Sequence, residues 1–228
     1  MEIALASFAA GAAAATGTVV IIDVFRAFTT AAVALSRGAT RIIMVASLEE
    51  ALALRAAGAG DLCVGERHGA RPEGFDFGNS PTEMAAAELA GKTLILTTTN
   101  GTAGIAAAGR ATRLYAAAFV TAEATLRALR AAEPARVTLV AMGRKGERRA
   151  DEDELFAFYL RSRLEGRAPD KDAMRRLLMT MPPPPDPGLV AQGEYDPRDR
   201  TIAAEIDRVD FAIRVRSENG CFSATAEH

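Results

Sequence analysis

The sequence predicts an α/β layered fold with a largely parallel or mixed sheet. Short β-branched apolar runs recur along the chain, and stretches of helical period with recognisable caps separate them. The 228 residues, 49% hydrophobic and 25% charged, suffice for a single domain over 1–228, or for two tightly packed α/β halves.

The first clear strand is "TVVIIDVF" (18–25), an apolar run suited to burial on both faces. A helix is predicted from Arg26 to Arg37, with Gly38 just past its end. "RIIMVA" (41–46) is the next strand, and Ser47 with Glu50 makes a capping box for a helix ending near Gly58. "DLCVG" (61–65) is a strand followed by a long loop. Helix then restarts at Ser80-Pro81-Thr82-Glu83, with Ser80 as N-cap and Pro81 in the first helical position. "KTLILTT" (92–98), "RLYAAA" (113–118) and "RVTLVAM" (136–142) are further strands. A helix over 151–165 carries Phe156, Leu160 and Leu164 on one stripe, and 170–180 also reads as helix. A Pro-rich connector falls at 182–187, then a short helix near 199–207 and the strands "DFAIRVR" and "CFSATA".

Several function classes fall away. A net charge of −2 provides no general field for nucleic acid. No apolar run reaches the ~18 residues of a membrane helix. The Ala-rich start lacks the basic region of a signal peptide, having Glu2 there. Cys63 and Cys221 show no metal-ligand spacing and read as reduced thiols, so a cytoplasmic setting is expected. Asp76-Phe77-Gly78 matches the magnesium-binding tripeptide of protein kinases, but no Gly-rich loop, strand lysine or His-Arg-Asp loop accompanies it.

Polar clusters sit where strands stop: Asp23 and Arg26, then Gly65-Glu66-Arg67, then "TTTNGT" (97–102), then "GRKGE" (143–147). Ligands of open α/β sheets bind beyond the carboxyl ends of strands, and all four clusters are expected along one edge as one site. Arg26 offers a planar fork for phosphate or carboxylate oxygens. The helix starts after Asn100-Gly101 and at Ser80 favour anions. Asp23, Glu66, Asp76, Glu152 and Asp153 supply hard oxygen ligands. Carboxylates beside anion-binding groups repel an anionic substrate unless a divalent cation lies between, which points to metal-assisted chemistry on a phosphate ester. Bland readings stand beside these. Acids in the first turn of a helix, such as Asp151, Glu152 and Asp153, complement its dipole, Ser80 is chiefly a cap, and His68 has no visible partner.

"VVIIDVFRAFTTA", "GERHGARPEGFDFGNSPTE", "TTTNGT" and "GRKGERRADEDELFAF" together resemble the 2-phosphosulfolactate phosphatase (ComB) family from about Val19 to Leu164. The resemblance implies a three-layer α/β/α fold, a homodimer, and magnesium-dependent release of phosphate from 2-phosphosulfolactate to give sulfolactate, a step of coenzyme M biosynthesis. The alternatives are a phosphatase for another small phosphorylated acid, or a silent anion-binding homologue. Carried over by position, Asp23, Arg26, Asn100, Arg144, Glu152 and Asp153 are the expected catalytic residues. Arg26, Arg67, Asn79, Ser80, Thr99, Asn100 and Gly101 are expected around the phosphate, and Asp23, Glu66, Asp76 and Asp153 around Mg2+. Thr98, Thr102 and Gly143 complete the signature. Relatives have Gly where this chain has His68, Cys-Ala-Gly where it has Ala141-Met142-Gly143, and Cys at Phe156, so a mechanism through either thiol does not operate here.

Overall fold

The computed structural model describes residues 1–144, 148–181, 195–218 and 220–228. Lys145, Gly146 and Glu147, and the expected Pro-rich connector at 182–187, lie outside the described residues.

The Ala-rich opening, where the sequence shows no clear period, forms strand β1 (Glu2–Ser7) and helix α1 (Phe8–Ala14). The predicted elements follow, with their ends shifted by a few residues in either direction. They are β2 (Gly17–Ile22), α2 (Ala27–Ser36), β3 (Arg41–Met44), α3 (Leu48–Ala56), β4 (Leu62–Gly65) and α4 (Pro81–Ala86). Next come β5 (Thr93–Thr97), α5 (Gly101–Ala107), β6 (Ala111–Ala117), α6 (Ala122–Ala131) and β7 (Arg136–Ala141). α7 (Asp151–Leu164), α8 (Lys171–Thr180), α9 (Pro197–Ala203), β8 (Ala212–Glu218) and β9 (Cys221–Glu227) complete the order. Both predicted caps are present: Ser47 accepts from the Glu50 N–H, and Ser80 from the Glu83 N–H.

Helices flank a nine-stranded mixed sheet in an α/β/α arrangement, with strand order β1-β7-β2-β6-β8-β9-β3-β5-β4. Two parallel blocks make it up. β1, β7, β2 and β6 form one; β3, β5 and β4 form the other. The antiparallel hairpin β8–β9 is inserted between them, pairing antiparallel with β6 on one side and β3 on the other. Three successive antiparallel pairings reverse the direction, so the second block runs opposite to the first.

This corrects the expectation of a single shared edge. The carboxyl ends of β2 and β7 lie on one edge of the sheet, and those of β4 and β5 on the other. Five strand steps separate β2 from β5, roughly 24 Å across a flat sheet. Yet a Cβ on Gly101, four residues past β5, would stand 2.8 Å from Asp23 Oδ2, one residue past β2. The sheet must curl to bring these points together. Helix α2 lies inside the curl, packed against α4, α5, β3 and β6, with every residue from Ala27 to Leu35 buried. That explains why its sequence is apolar all round rather than on one stripe.

Candidate active site

Asp23 directly follows β2 and is buried, 6% exposed. Its Oδ1 accepts from the Ala27 N–H at 3.1 Å, in the first turn of α2. Burial pushes its carboxyl up to about 7. The Ala27 N–H opposes the shift, and the charges of Glu66 and Glu152 reinforce it. Asp153 is also raised well above the usual carboxylate range, first by burial and then by Asp23 and Glu152. Asp23, Glu66 and the adjacent pair Glu152 and Asp153, from three separate parts of the chain, are thus brought close enough for Asp23 to be repelled by Glu66 and Glu152, and Asp153 by Asp23 and Glu152.

Each of these acids has a different bonding role. Asp153, in the first turn of α7, accepts from the Val24 N–H at 2.7 Å and the Gly143 N–H at 2.9 Å. It ties the end of β2 to the end of β7. Gly143 has φ +68, and a Cβ there would lie 2.4 Å from the Arg148 carbonyl, so the turn after β7 requires glycine. Glu152, 2% exposed, receives Arg144 Nη2 at 3.2 Å, while the Arg144 side chain itself is 38% exposed. Glu66 organises the loops after β4 and β5. Its Oε1 accepts from the Thr99 N–H at 2.6 Å, and its Oε2 from the Gly69 N–H at 2.7 Å and the Thr99 hydroxyl at 3.0 Å. These contacts run continuously from Glu66 through Thr99 and Gly101 to Asp23, and from Val24 through Asp153 to Gly143, Arg144 and Glu152.

Other expected residues serve the loops. Arg67 donates to the Ala46 and Glu66 carbonyls and to the Thr97 hydroxyl. Thr98 and Thr102 bond each other reciprocally at the start of α5, with Asn100 at its N-cap. His68 is exposed and has φ +56, the left-handed region that glycine adopts without strain. Asn79 is buried, and its Oδ1 has no hydrogen-bond partner among the described residues.

Asp76 is not brought to the other carboxylates. It lies beside the outermost strand, accepting from Arg55 at 2.9 Å and from the Cys63 N–H at 2.8 Å. Its neighbour along the loop, Phe77, bridges to Val64. The Asp-Phe-Gly stretch therefore fastens a long loop to β4.

One functional candidate is absent from the sequence reading. Asp199, on α9, is 1% exposed, and its Oδ2 meets Arg26 Nη1 at 2.7 Å. Its Oδ1 accepts from the Ser80 hydroxyl at 2.7 Å and the Thr82 N–H at 3.0 Å. Asp196-Pro197, an N-cap followed by proline at the first helical position, is a helix start that would have placed Asp199 in the first turn. Nothing local marks Asp199 as buried.

Among the described residues no three His, Cys, Asp or Glu side chains converge as a ready metal cage. Magnesium usually takes one or two protein carboxylates and fills its octahedron with water and phosphate oxygens. Asp23, which also accepts from the Ala27 and Gly101 N–H groups, and Glu152, which also holds Arg144, could take that part. The carboxylates of Glu66 and Asp153 are engaged by backbone N–H groups on both oxygens, and Asp76 sits apart.

The curled α/β/α sheet gathers buried carboxylates and flanking guanidinium groups at converging strand ends. The chain belongs to the 2-phosphosulpholactate phosphatase family, whose model matches residues 8–181. It is 43% identical over 148 residues to a "Probable 2-phosphosulfolactate phosphatase" of Thermotoga petrophila, covering 65% of this chain and 63% of that protein. A protein of the same name from Thermotoga maritima is 41% identical over 148 residues, with the same shares of 65% and 63%. One from Carboxydothermus hydrogenoformans is 47% identical over 106 residues, 46% of this chain and 44% of that protein. The chain thus spans about 63% of the length of the two Thermotoga relatives it matches. Among the described residues no helix is long and apolar enough to cross a membrane.

Proposed function

We propose that the protein is a phosphoric monoester hydrolase that releases phosphate from 2-phosphosulfolactate, with Mg2+ as its cofactor. The observation that carries this reading is the buried group of Asp23, Glu66, Glu152 and Asp153. Among the described residues, the ion pair that meets this charge is that of Arg144 with Glu152. So much buried carboxylate is costly unless protons or a cation neutralise it. A small phosphate ester is repelled by it without such neutralisation, which Mg2+ would supply.

Asp23 and Glu152 would hold the magnesium ion, which when bound draws charge from phosphoryl oxygens. Asp153 and Glu66 keep the two sets of strand ends in register around that point through backbone N–H groups. Arg144, held from one side by Glu152 and partly exposed, would take a substrate oxygen. Arg26 would present its guanidinium to the phosphoryl group, where charge develops in the transition state. A cytoplasmic homodimer acting in coenzyme M biosynthesis belongs to the same proposal.

The family match supports the phosphatase class more directly than it supports the substrate. A second reading therefore keeps the chemistry and changes the acid released. It is favoured by the end of the family match at residue 181, before α9, whose Asp199 holds Arg26. Phosphate release from 2-phosphosulfolactate, phosphoglycolate, 2-phosphoglycerate and phosphoenolpyruvate, each with magnesium and with chelator, tests both readings. Activity on 2-phosphosulfolactate alone supports the first; faster turnover of one of the three sulfur-free acids supports the second. No magnesium-dependent release from any of the four would reject the phosphatase assignment.

A further inference from the structure

The family match ends at residue 181, but α9 beyond it is docked directly on the turn between β2 and α2. Two consecutive side chains of α9 grip two consecutive residues of that turn. Asp199 pairs with Arg26 at 2.7 Å, and the Arg200 guanidinium lies over the Phe25 ring at 5.6 Å from its centroid. Arg200 also donates to the Met181 carbonyl at the end of α8. Arg26 in turn acts on Asp196 at the N-cap of α9, helping to hold that carboxyl below the usual carboxylate range after the larger effect of Arg198.

Asp199 itself is bonded on both oxygens. One takes Arg26; the other takes the Ser80 hydroxyl and the Thr82 N–H. A carboxylate at 1% exposure is stable only when so satisfied. The arrangement also has a directional result. A guanidinium is a rigid planar fork, and a short bond from Nη1 to an anchored acceptor restricts where that fork can lie. Because Asp199 is anchored to the first turn of α4, it cannot follow Arg26 if that side chain moves.

We propose that Asp199 is a positioning residue that sets the Arg26 guanidinium for an incoming phosphate, so that α9 is a working part of the site. This rests on the reading of Arg26 as a phosphate ligand. Asp199→Asn keeps an oxygen for the Thr82 N–H and removes the charge that holds Arg26. Arg26→Lys keeps the charge on the other side and removes the fork.

Binding of orthophosphate with magnesium, followed by calorimetry, and kcat and KM for the best ester are measured for the wild type, Asp199→Asn, Arg26→Lys and the double variant. Melting temperatures are taken on the same preparations. Each single variant is expected to weaken orthophosphate at least tenfold and to lower kcat/KM, Arg26→Lys by roughly thirtyfold or more. The double variant should be no worse than Arg26→Lys alone, because Asp199 acts through Arg26. Losses that multiply in the double variant overturn the proposal. So does an Asp199→Asn protein that melts lower yet binds and turns over normally, or a wild type that does not bind orthophosphate. Should Asp199→Asn fail to fold, Asp199→Glu takes its place, since it keeps the charge but shifts it by one methylene and is expected to show the same losses. A wild type that binds orthophosphate but hydrolyses no ester would reject the catalytic reading alone, and the binding comparison still decides the role of Asp199.

Discussion

Replacing Asp23 with asparagine should make the metal-free protein more stable while abolishing its activity. The carboxyl is raised from 3.8 to about 7 because it is buried beside other acids. Each tenfold change in proton affinity is about 1.4 kcal/mol, so ionised Asp23 costs the folded protein on the order of 4 kcal/mol. Part of that is repulsion from Glu66 and Glu152, which eases when a neighbour takes up the proton instead, leaving about 2 kcal/mol as the expected gain. The sign follows from proton counting. Between the unfolded value near 3.8 and the folded value near 7, the folded state keeps a proton that the unfolded state has lost. Stability from this group is therefore fully present below pH 3.8 and falls as pH rises through 7. Asparagine can still accept from the Ala27 N–H but cannot ionise. In chelator at pH 8 the variant should melt roughly 4–8 °C above the wild type, with the gap closing towards pH 4. Magnesium should raise the wild-type melting temperature and leave the variant unchanged. Thermal melts across pH with and without magnesium test this. A variant that melts at or below the wild type at pH 8 would show that Asp23 is not a charge buried at a cost.

Arg26→Lys should retain the fold yet lose at least ~2 kcal/mol of transition-state stabilisation, roughly thirtyfold in kcat/KM. A variant that melts lower but turns over normally would confine Arg26 to its pairing with Asp199. Gly101→Ala should disturb the site directly, since its Cβ would lie 2.7 Å from Ala27 Cβ and 2.8 Å from Asp23 Oδ2. Loss of most phosphate release is expected there, and an unaffected enzyme would refute the close approach of the two strand ends. The Cys63→Ala, Cys221→Ala double variant should fold and remain active, as both cysteines are free. Full inactivity of a well-folded double variant would contradict that.

Local chemistry made much of this legible in the sequence. Val19 to Ile22 read as a buried strand, Ser47 and Ser80 as caps, and Asp23 as an acid with no structural excuse at the end of an apolar run. The directions of the two sheet blocks were not legible. They depend on the hairpin β8–β9 pairing with strands about a hundred residues or more away in sequence, and no local pattern encodes that. Glu66 and Asp76 illustrate the same limit. Both are acids near β4, but the curl of the sheet carries one towards Asp23, while the loop leaves the other beside the outermost strand. Asp199 stayed hidden because "YDPRDRT" has the composition of an ordinary solvated turn.

The hairpin has a further consequence for how the molecule is made. β8 and β9 follow the other seven strands in the chain, yet they lie between β6 and β3. While the polypeptide emerges from the ribosome, both blocks can form only with one flank lacking its partner. Those two raw flanks, each rich in apolar side chains, can template association with other chains. The nascent protein is therefore most prone to aggregate just before the hairpin arrives, and a substitution that slows β8–β9 from zipping in would lower soluble yield without touching any residue of the site.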